Sequence, residues 1–571
     1  MENAQIADIF DEIADLLELK EANPFRVRSY RSAARTVRGL PDRMEDLVAA
    51  DEDLSDLPNI GESTAEKVRE ILDRGTCKRL EDLREELPSG LTELMRVPGL
   101  GARKAMALHE ALGVAGLADL RQACEAHEVR EVEGMGAKSE QNILEGLKTL
   151  QSAAGRFLYK DASDHVESLR RHLEGCASVD RWEVAGSFRR RKETVGDLDV
   201  LVQASDREAA GEEIAAYDAI TRVDSRGKEK ITVHLTGGLQ IDFRFFDPSS
   251  FGSAMMYFTG SRAHNIALRR RGRERDWKLN EYGLFKGKRR LAGRDEEGLY
   301  RRLNLPWVPP ELREDRGEIA AAEADELPDL IDPDQVRGDL QSHTTASDGS
   351  AGIREMADAA RDRGYDYFAV TDHSKRVTMA KGLDDDRCRR HADAIREADA
   401  DLGGLWLMAS IEVDVLKSGR LDLKKKTLEG LDWVVASIHY DRNLPRDRMT
   451  DRLLAAVRSG VVHCLGHPLG RIIGKRDPLA FDVEKVLAAC VEEDVVVEIN
   501  GQPDRLDLPD TYCKQARDAG VRFSLGTDAH KPADLDFMPL AVHVARRGWL
   551  ERRHVLNTRT AGQLRKALER G

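Results

Sequence analysis

Hydrophobic residues recur at spacings of three and four through the first 150 residues, which is the spacing of amphipathic helices. Proline and glycine interrupt this pattern repeatedly, so we expect short helices joined by tight turns. After residue 150 the pattern changes to short apolar runs, namely RWEVAGSF, LDVLVQA, KITVHLT and LQIDFRFF. These runs have the alternating or continuous apolar character of strands, which predicts a mixed helix and strand region.

A third pattern begins near residue 336. Short apolar strands alternate there with helical stretches: YFAVTDH, WLMASIEV, WVVASIHY, VVHCLGH, VVVEING and RFSLGTD. This alternation predicts a parallel α/β barrel, whose chemistry lies at the C-terminal ends of its strands. The preceding segment, residues 305–335, is rich in proline and acidic residues, and this composition predicts a linker.

Composition limits the class of protein. The chain has 571 residues, 41% hydrophobic and 34% charged, without an apolar run long enough to span a bilayer. Its N-terminus is acidic and amphipathic, unlike a signal peptide. Its seven cysteines form no CxxC pair, which favours free thiols and a cytoplasmic location.

Charge is distributed unevenly along the chain. A net charge of −14 disfavours nucleic-acid binding on average. Three basic runs nevertheless cluster in the middle third: RRRK at 189–192, RRRGRER at 269–275 and KGKRR at 286–290. Their proximity in sequence predicts a phosphate-binding face.

A weak repeat occurs in the helical region, as LPNIGESTAEKV at 57–68, VPGLGARKAMAL at 97–108 and VEGMGAKSEQNI at 132–143. Each copy has an apolar residue, a short turn, a glycine and a helical start, and it resembles the helix-hairpin-helix motif. Gly61, Gly101 and Gly136 would let the turn backbone approach a DNA phosphate, with the N–H groups of the next helix directed at the anion. Three copies favour sequence-independent binding to the DNA backbone.

The segment VAGSFRRRKETVGDLDVLV at 184–202 contains the clearest chemical motif. A strand ends at Gly186-Ser187, and the next strand carries Asp197 and Asp199, which project to one face because they are two residues apart. Asp242, in LQIDFRFF, would add a third carboxylate from a neighbouring strand. Such a set could hold Mg²⁺ ions that activate a 3′-hydroxyl and stabilise a leaving pyrophosphate.

With GSFRR, GDLDVLV, IDFRFF and YFTGS in this order, the first 305 residues resemble a bacterial-type family X DNA polymerase with a DNA polymerase beta-like core. The resemblance assigns Asp197, Asp199 and Asp242 to catalytic Mg²⁺ or Mn²⁺ binding. It also implies nucleotide contacts from Gly186, Ser187, Arg190, Tyr257, Phe258, Gly260 and Asn265. Arg262 departs from the family pattern, which has an acidic residue near the incoming base.

The N-terminus, through NPFRVRSYRSAARTV and the first hairpin, resembles the small DNA-end-binding domain of the same family. Arg26, Arg28 and Tyr30 would then hold the 5′-phosphate of a gap. Lys67 falls at the Schiff-base lysine of the family lyase, chemistry that requires a neutral amine. The family's second lysine is Ser63 here, so DNA-end binding is the firmer expectation.

From residue 336 the chain resembles a polymerase and histidinol phosphatase (PHP) domain, through DLQSHTTASDG, VTDH, IEVD, SIHY, LGHP and GTDAH. The resemblance implies nine ligand positions for Zn²⁺, Mn²⁺ or Fe²⁺ and a 3′→5′ exonuclease activity. Site one would use Gln341, His343, Glu412 and Asp528; site two His439, His467 and the bridging Glu412; site three Asp348, His373 and His530.

Gln341 is the departure within this set. The family has histidine there, whereas glutamine offers a borderline metal only a neutral amide oxygen. We therefore expect a weakened or Mn²⁺-selective first site in a barrel that remains active. A structural barrel that supports the polymerase is the alternative.

These motifs predict a multidomain enzyme with a helical helix-hairpin-helix region, an α+β nucleotidyltransferase palm and thumb, and a C-terminal PHP barrel. The predicted segments are 1–80 (lyase-like), 81–150 (hairpin fingers), 151–245 (palm), 246–315 (thumb), 316–335 (linker) and 336–571 (barrel). The expected function is gap-filling DNA synthesis from dNTPs in repair, by a monomer that contacts no membrane. Two alternatives stay open: a phosphoesterase with a DNA-targeting appendage, and a catalytically silent DNA-end scaffold.

Overall fold

The computed structural model describes residues 3–20, 22–40, 44–50, 52–87, 91–95, 97, 100–152 and 156–569. The chain divides into two compact units, Met1–Gly155 and Arg156–Gly571. Every helix in these described ranges is too short or too polar to cross a membrane.

The first unit is helical and has its own apolar core. Helix α1 contributes Ile6, Phe10 and Ile13, whose spacing places them on one buried face. The helices are α1 Asn3–Leu19, α2 Pro24–Gly39, α3 Met44–Ala49, α4 Glu62–Arg74, α5 Lys78–Glu86, α6 Leu91–Leu94, α7 Ala102–Leu112, α8 Leu117–Glu125 and α9 Ala137–Ser152. The predicted helical N-terminal region is therefore confirmed.

The second unit begins with a five-stranded sheet in the order β2-β4-β7-β6-β5, in which only β4 and β7 run parallel. A short β1–β3 pair lies beside it. The elements are β1 Phe157–Leu158, α10 Tyr159–Leu173, β2 Arg181–Val184, α11 Gly186–Arg189, β3 Thr194–Val195, β4 Asp197–Gln203, α12 Arg207–Ala215, β5 Ile220–Arg226, β6 Lys230–Leu235 and β7 Gln240–Phe245. The parallel β4–β7 register places Asp199 opposite Asp242.

A helical layer with a three-stranded antiparallel sheet, β10-β9-β8, follows. Its elements are α13 Phe251–Thr259, α14 Arg262–Arg273, β8 Lys278–Asn280, β9 Gly283–Lys286, β10 Arg289–Ala292, α15 Glu296–Arg302 and α16 Glu318–Ala324. His264 on α14 is fully buried between Glu318 and Tyr300, with Nδ1 2.6 Å from the Glu318 Oε1 and Nε2 2.8 Å from the Tyr300 hydroxyl. These contacts fix α14 against α15 and α16.

The remainder forms seven parallel strands in sequential order, β11 to β17. The first and last strands approach closure, since the His343 N–H donates to the Ala529 carbonyl at 2.8 Å. The elements are β11 Gly338–Asp339, α17 Ile353–Asp362, β12 Tyr367–Val370, α18 Asp385–Leu402, β13 Trp406–Asp414, α19 Lys425–Leu428, β14 Trp433–Ser437, α20 Arg446–Val457, β15 Cys464–Leu465, α21 Val483–Glu492, β16 Val496–Asn500, α22 Asp510–Asp518, β17 Phe523–Gly526, α23 Met538–Arg547 and α24 Ala561–Leu568. The predicted α/β barrel is confirmed.

The segment 305–335 differs from the predicted linker. It forms α16 and buries Arg313, Glu318 and Ile331. Three of its acidic residues, Glu311, Glu314 and Glu323, are ion-pair partners of arginines elsewhere in the unit, such as Glu311 with Arg546 at 2.9 Å. Composition alone could not reveal this, because the partners lie far away in sequence.

Candidate functional site

Three carboxylates meet on the five-stranded sheet. Asp197 and Asp199 alternate with a buried leucine along β4, so both project to the same face. Asp242 on β7 faces Asp199 directly through the parallel register and is almost completely buried. The structure therefore brings together the three residues that the sequence predicted as one site.

Two cations already contact these carboxylates. The Arg244 guanidinium donates to Asp199 Oδ1 at 3.2 Å and to Asp242 Oδ2 at 2.7 Å. Lys230 Nζ lies 2.7 Å from the same Asp242 oxygen. Arg244 also lies over the Phe258 ring, 4.5 Å from its centroid. A metal ion entering the site would therefore compete with Arg244 for the carboxylate oxygens.

Burial and charge repulsion act together on the central carboxylate. Burial raises the pKa of Asp199 to about 6, the Asp197 charge adds to the rise, and Arg244 opposes it. A divalent cation relieves such repulsion, and carboxylates are its preferred ligands when it has the size of Mg²⁺. The donor set therefore fits Mg²⁺ or Mn²⁺.

Gly186 places the start of α11 against the triad. Its φ is +65°, and a Cβ there would lie 3.2 Å from Asp199 Oδ2, so both the conformation and the space favour glycine. Ser187 follows in the same turn. The GSFRR motif therefore adjoins the carboxylates directly.

Arg190 leaves this turn toward the YFTGS segment. It donates to the Thr259 carbonyl and, through Nε, to Glu314 Oε1 at 3.0 Å. A Cβ at Gly260 would lie 3.1 Å from Arg190 Nη1. The predicted nucleotide contacts Arg190 and Gly260 are thus neighbours, and Arg190 is paired with a carboxylate.

The other predicted nucleotide contacts lie on α13 and α14. Tyr257 and Phe258 pack edge to face at 5.2 Å, and the buried Asn265 donates to the Tyr257 carbonyl at 2.6 Å. Asn265 Oδ1 is buried without a hydrogen-bond partner among the described residues. Arg262 is exposed at the start of α14. Tyr257 and Asn265 therefore lie beside Phe258, and Phe258 contacts Arg244, the arginine that donates to Asp199 and Asp242.

The basic run at 189–192 is not an open phosphate-binding face. Arg189 pairs with Glu296 at 2.7 Å, Arg190 with Glu314, and Arg191 with Glu311 at 3.2 Å. The expectation of a phosphate face was therefore wrong for this run. The cause is long-range pairing, which the local sequence does not display.

The same run forms a palm–barrel ion network. We use this name for Arg190, Arg191, Glu193, Glu311, Glu314, Arg471, Asp510, Arg546 and Arg547. Arg547 on α23 donates to the Arg190 carbonyl at 2.6 Å and lies 3.1 Å from Glu314, while Arg471 lies 2.6 Å from Glu193. The carboxylate-bearing sheet and the barrel are therefore bound together by charge-assisted hydrogen bonds.

A second cluster of metal-binding side chains lies at the C-terminal ends of the barrel strands. Every predicted histidine and carboxylate ligand is present: His343, Asp348, His373, Glu412, His439, His467, Asp528 and His530. Glu412 is central and fully buried, with His373 Nδ1 2.8 Å and His467 Nε2 2.9 Å from its carboxylate. His373 and His530 flank Asp348 at 3.4 and 3.5 Å.

The Glu412 contacts are short, but both of its oxygens lack a hydrogen bond to the described residues. The histidine nitrogens near Glu412 are therefore close to its oxygens without hydrogen-bonding to them, as is typical of atoms that share one cation. The groups His343–Asp348–His373–His530 and His373–Glu412–His439 have the spacing of cation ligands. Mixed imidazole and carboxylate donors fit Zn²⁺, Mn²⁺ or Fe²⁺.

A further layer orients these ligands. Asp414 Oδ1 lies 3.1 Å from His439 Nδ1. Asp372 accepts the Thr344 N–H at 2.9 Å and lies 2.7 Å from His391 Nε2. Carboxylates behind metal-binding histidines fix the ring orientation. Although burial opposes it, contact with Asp348 and the Asp528 charge raise the pKa of His530 to about 9.

Gln341 lies among these residues, buried to 1% exposure. Its backbone carbonyl accepts the Asp528 N–H at 3.0 Å. Its Oε1 and Nε2 have no hydrogen-bond partner among the described residues. Both polar atoms of the side chain are therefore buried without a hydrogen-bond partner in the described part of the chain, and a ligand role for Gln341 stays a prediction.

Sequence reasoning missed Arg244, Lys230 and Glu498. Arg244 could have been found, because it follows Asp242 by two residues and so shares its face of β7. Glu498 also had a signal, since a lone carboxylate in the apolar run VVVEIN must be buried if that run is a central strand.

The hairpin glycines have no internal structural requirement. Gly61 and Gly101 precede α4 and α7 with φ of −91° and −80°, and Gly136 precedes α9. A Cβ at any of the three would meet no described atom within 4 Å. Pro98 and Gly99 of the second hairpin lie outside the described residues. Contacts with the described residues therefore do not explain the glycines, and DNA-backbone binding at these turns stays a prediction.

The predicted end-binding residues lie in the same unit. Arg26, Arg28 and Tyr30 lie on α2, and Tyr30 packs against Phe10 at 6.1 Å. Lys67 Nζ donates to the Ser63 carbonyl and contacts its hydroxyl, both at 2.8 Å. A lyase role for Lys67 stays a prediction.

Comparison with protein families gives four matches. They are a helix-hairpin-helix domain at residues 1–77, a SAM-like helix-hairpin-helix tandem at 91–149, a DNA polymerase beta thumb at 254–314 and a PHP domain at 339–502.

Individual relatives extend these matches. DNA polymerase/3'-5' exonuclease PolX of Bacillus subtilis (strain 168) is 33% identical over 575 residues, covering 100% of both chains. A probable phosphatase of Photobacterium profundum is 30% identical over 210 residues, 34% of this chain and 79% of its own. A probable phosphatase of Thermoanaerobacter sp. is 28% identical over 235 residues, 38% of this chain and 90% of its own.

Proposed function

The chain belongs to the PolX group of family X DNA polymerases, and from this premise we propose that it fills short DNA gaps and degrades DNA 3′ ends. Synthesis takes place at Asp197, Asp199 and Asp242, and hydrolysis at the histidine and carboxylate cluster of the PHP barrel. The observation that carries the synthetic assignment is the β4–β7 register, which sets Asp199 opposite Asp242.

The triad would hold Mg²⁺ or Mn²⁺, which when bound would supply the charge that activates a 3′-hydroxyl and stabilises pyrophosphate. Asp197, Asp199 and Asp242 are the proposed ligands of these ions. Arg244 shares Asp199 Oδ1 and Asp242 Oδ2 with an incoming metal ion, so its contacts with these oxygens should weaken as the site fills. Ser187 and Arg190 bind the triphosphate, and this requires Arg190 to exchange part of its contact with Glu314.

Tyr257, Phe258 and Asn265 select the nucleotide in this proposal. The Asn265 hydrogen bond to the Tyr257 carbonyl fixes the backbone at the place where the sugar lies. The unpartnered Asn265 Oδ1 suits a donor on the incoming nucleotide or its water.

The histidine and carboxylate cluster of the barrel would hold Zn²⁺, Mn²⁺ or Fe²⁺, which when bound would supply the water activation that hydrolysis of the terminal phosphodiester needs. Glu412 bridges the ligand groups, and Asp414 orients His439. Gln341 weakens the first position relative to an imidazole, so the proposal includes a preference for Mn²⁺.

The helix-hairpin-helix unit binds the DNA backbone through Gly61, Gly101 and Gly136, and Arg26 and Tyr30 hold the end of a gap. The open space at all three glycines supports this assignment. A monomer acting in the cytoplasm completes the proposal, and the seven free cysteines agree with a reducing compartment.

The test is one gapped, labelled DNA on which extension and 3′ degradation are followed in parallel with Mg²⁺ and with Mn²⁺. The wild-type chain should extend the primer when dNTPs are present and shorten it when they are omitted. Asp197→Asn should lose extension and keep shortening and DNA binding, while His343→Ala should do the reverse. Normal extension by Asp197→Asn would contradict the assignment of the triad.

A further inference from the structure

Three polar atoms in the barrel are buried together without partners. They are Gln341 Oε1, Gln341 Nε2 and Glu498 Oε1, none of which hydrogen-bonds to a described residue. Both side chains are 1% exposed. A buried polar atom without a hydrogen-bond partner destabilises the folded chain, and an unpartnered carboxylate oxygen does so more strongly. Three such atoms in one place indicate a site for a ligand.

Two glycines allow these side chains to pack closely. A Cβ at Gly526 would lie 2.3 Å from Glu498 Oε1 and 2.7 Å from Gln341 Cβ. A Cβ at Gly466 would lie 3.5 Å from Gln341 Oε1. The Gln341 side chain and the free Glu498 oxygen therefore both pack against Gly526 and lie close to each other, and a larger residue at 526 would collide with both.

Glu498 is also held in position toward the metal cluster. Its Oε2 accepts the His467 N–H at 2.7 Å, and the Asn500 side chain lies 3.4 Å from the same oxygen. Asn500 Nδ2 also lies 3.2 Å from Asp528 Oδ2. One oxygen of Glu498 is thus fixed by the backbone of one predicted ligand and linked to another, and Oε1 is left for a further contact.

We propose that Glu498 is a metal ligand in this chain and supplies, through Oε1, the strong donor that Gln341 lacks at the first position of the PHP site. The inference rests on the proposed hydrolytic function of the barrel. A divalent cation beside Glu498 Oε1 would satisfy the carboxylate and the Gln341 amide oxygen together. An additional carboxylate in place of an imidazole would favour Mn²⁺, which accepts oxygen ligands readily.

The experiment measures bound metal on the full chain. Wild type, Glu498→Gln, Gln341→His and the double variant are freed of metal with a chelator, titrated with Mn²⁺ by calorimetry, and analysed for retained Mn²⁺ by mass spectrometry after dialysis. Asp339→Asn is the matched control, because Asp339 is a buried carboxylate of the same barrel whose two oxygens already accept hydrogen bonds. Primer extension by each variant reports that the shared compact unit has folded.

Glu498→Gln should lose one retained Mn²⁺ per chain or bind one Mn²⁺ about 10-fold more weakly. Gln341→His should restore that ion in the double variant and strengthen it in the wild-type background, and Asp339→Asn should match wild type. Unchanged Mn²⁺ number and affinity in Glu498→Gln would overturn the Glu498 assignment and leave the hydrolytic function intact. If Asp242→Asn, whose barrel is unaltered, retains no Mn²⁺ and the wild-type chain does not shorten DNA, both the Glu498 assignment and the hydrolytic function are overturned.

Discussion

The clustered carboxylates of the two predicted metal centres in the Arg156–Gly571 unit are compensated by different side chains. In the sheet, Asp199 and Asp242 are neutralised by the side chains of Arg244 and Lys230. In the barrel, Glu412 is surrounded by His343, His373, His439 and His467, which are themselves predicted metal ligands. The first arrangement suits a cation that arrives with its substrate, and the second suits a cation that stays.

The largest test of this comparison is Glu412→Gln. Because Glu412 contacts both ligand groups, its loss should reduce 3′ degradation by more than about 100-fold and leave primer extension unchanged. The measurement is shortening and extension of the same labelled DNA. Glu493→Gln, an exposed carboxylate after α21, is the control and should behave as wild type. Wild-type rates of 3′ degradation by Glu412→Gln would contradict a role for Glu412 in the barrel metal centre.

Metal removal should separate the two centres by stability. A buried ion that binds only the folded chain adds about 2.7 kcal/mol at 100 times its Kd, so chelation of the barrel metal should lower Tm by roughly 5 °C. Withdrawing Mg²⁺ alone should leave Tm within about 1 °C, since Arg244 and Lys230 still compensate the triad. Differential scanning calorimetry, with Mn²⁺ added back, measures both. Equal Tm shifts for the two treatments would contradict the expectation that the barrel metal is bound permanently and the sheet metal only with substrate.

The smallest expected effect concerns the competing cation. Arg244→Met removes a positive charge from Asp199 and Asp242, so the Mg²⁺ concentration for half-maximal extension should fall by roughly 3-fold. Arg222→Met removes an arginine of the same sheet that pairs with Asp224 and should leave the Mg²⁺ dependence unchanged. A higher Mg²⁺ requirement in Arg244→Met would show that Arg244 supports the metal site and does not compete with it.

Much of both centres follows from sequence because strand geometry is local. Two aspartates at i and i+2 on β4 share a face in any strand, and ligands that end successive parallel strands meet on one side of a barrel. The same logic predicted the helical N-terminal region from its spacing. What it cannot supply is the identity of groups that approach from other strands.

Three features illustrate that limit. Lys230 reaches Asp242 only through the antiparallel β6–β7 pairing, which is a non-local property. The acidic segment 305–335 resembled a linker because its partners Arg546 and Arg547 are more than 200 residues away. The sequence marks Glu498 as a buried carboxylate, but its free oxygen and its closeness to Gln341 depend on the fold.

The palm–barrel ion network has a practical consequence for dissecting this enzyme. Cutting the chain near residue 336 would strip Glu311 and Glu314 of Arg546 and Arg547 and leave Arg471 without Glu193. Breaking a buried pair by removing one partner costs about 3–5 kcal/mol, so each half would start from a damaged surface. If deleting the barrel abolishes DNA synthesis, the loss could therefore be due to the broken ion pairs and not to a catalytic role of the barrel. Single substitutions in the intact chain are the sounder way to assign each activity.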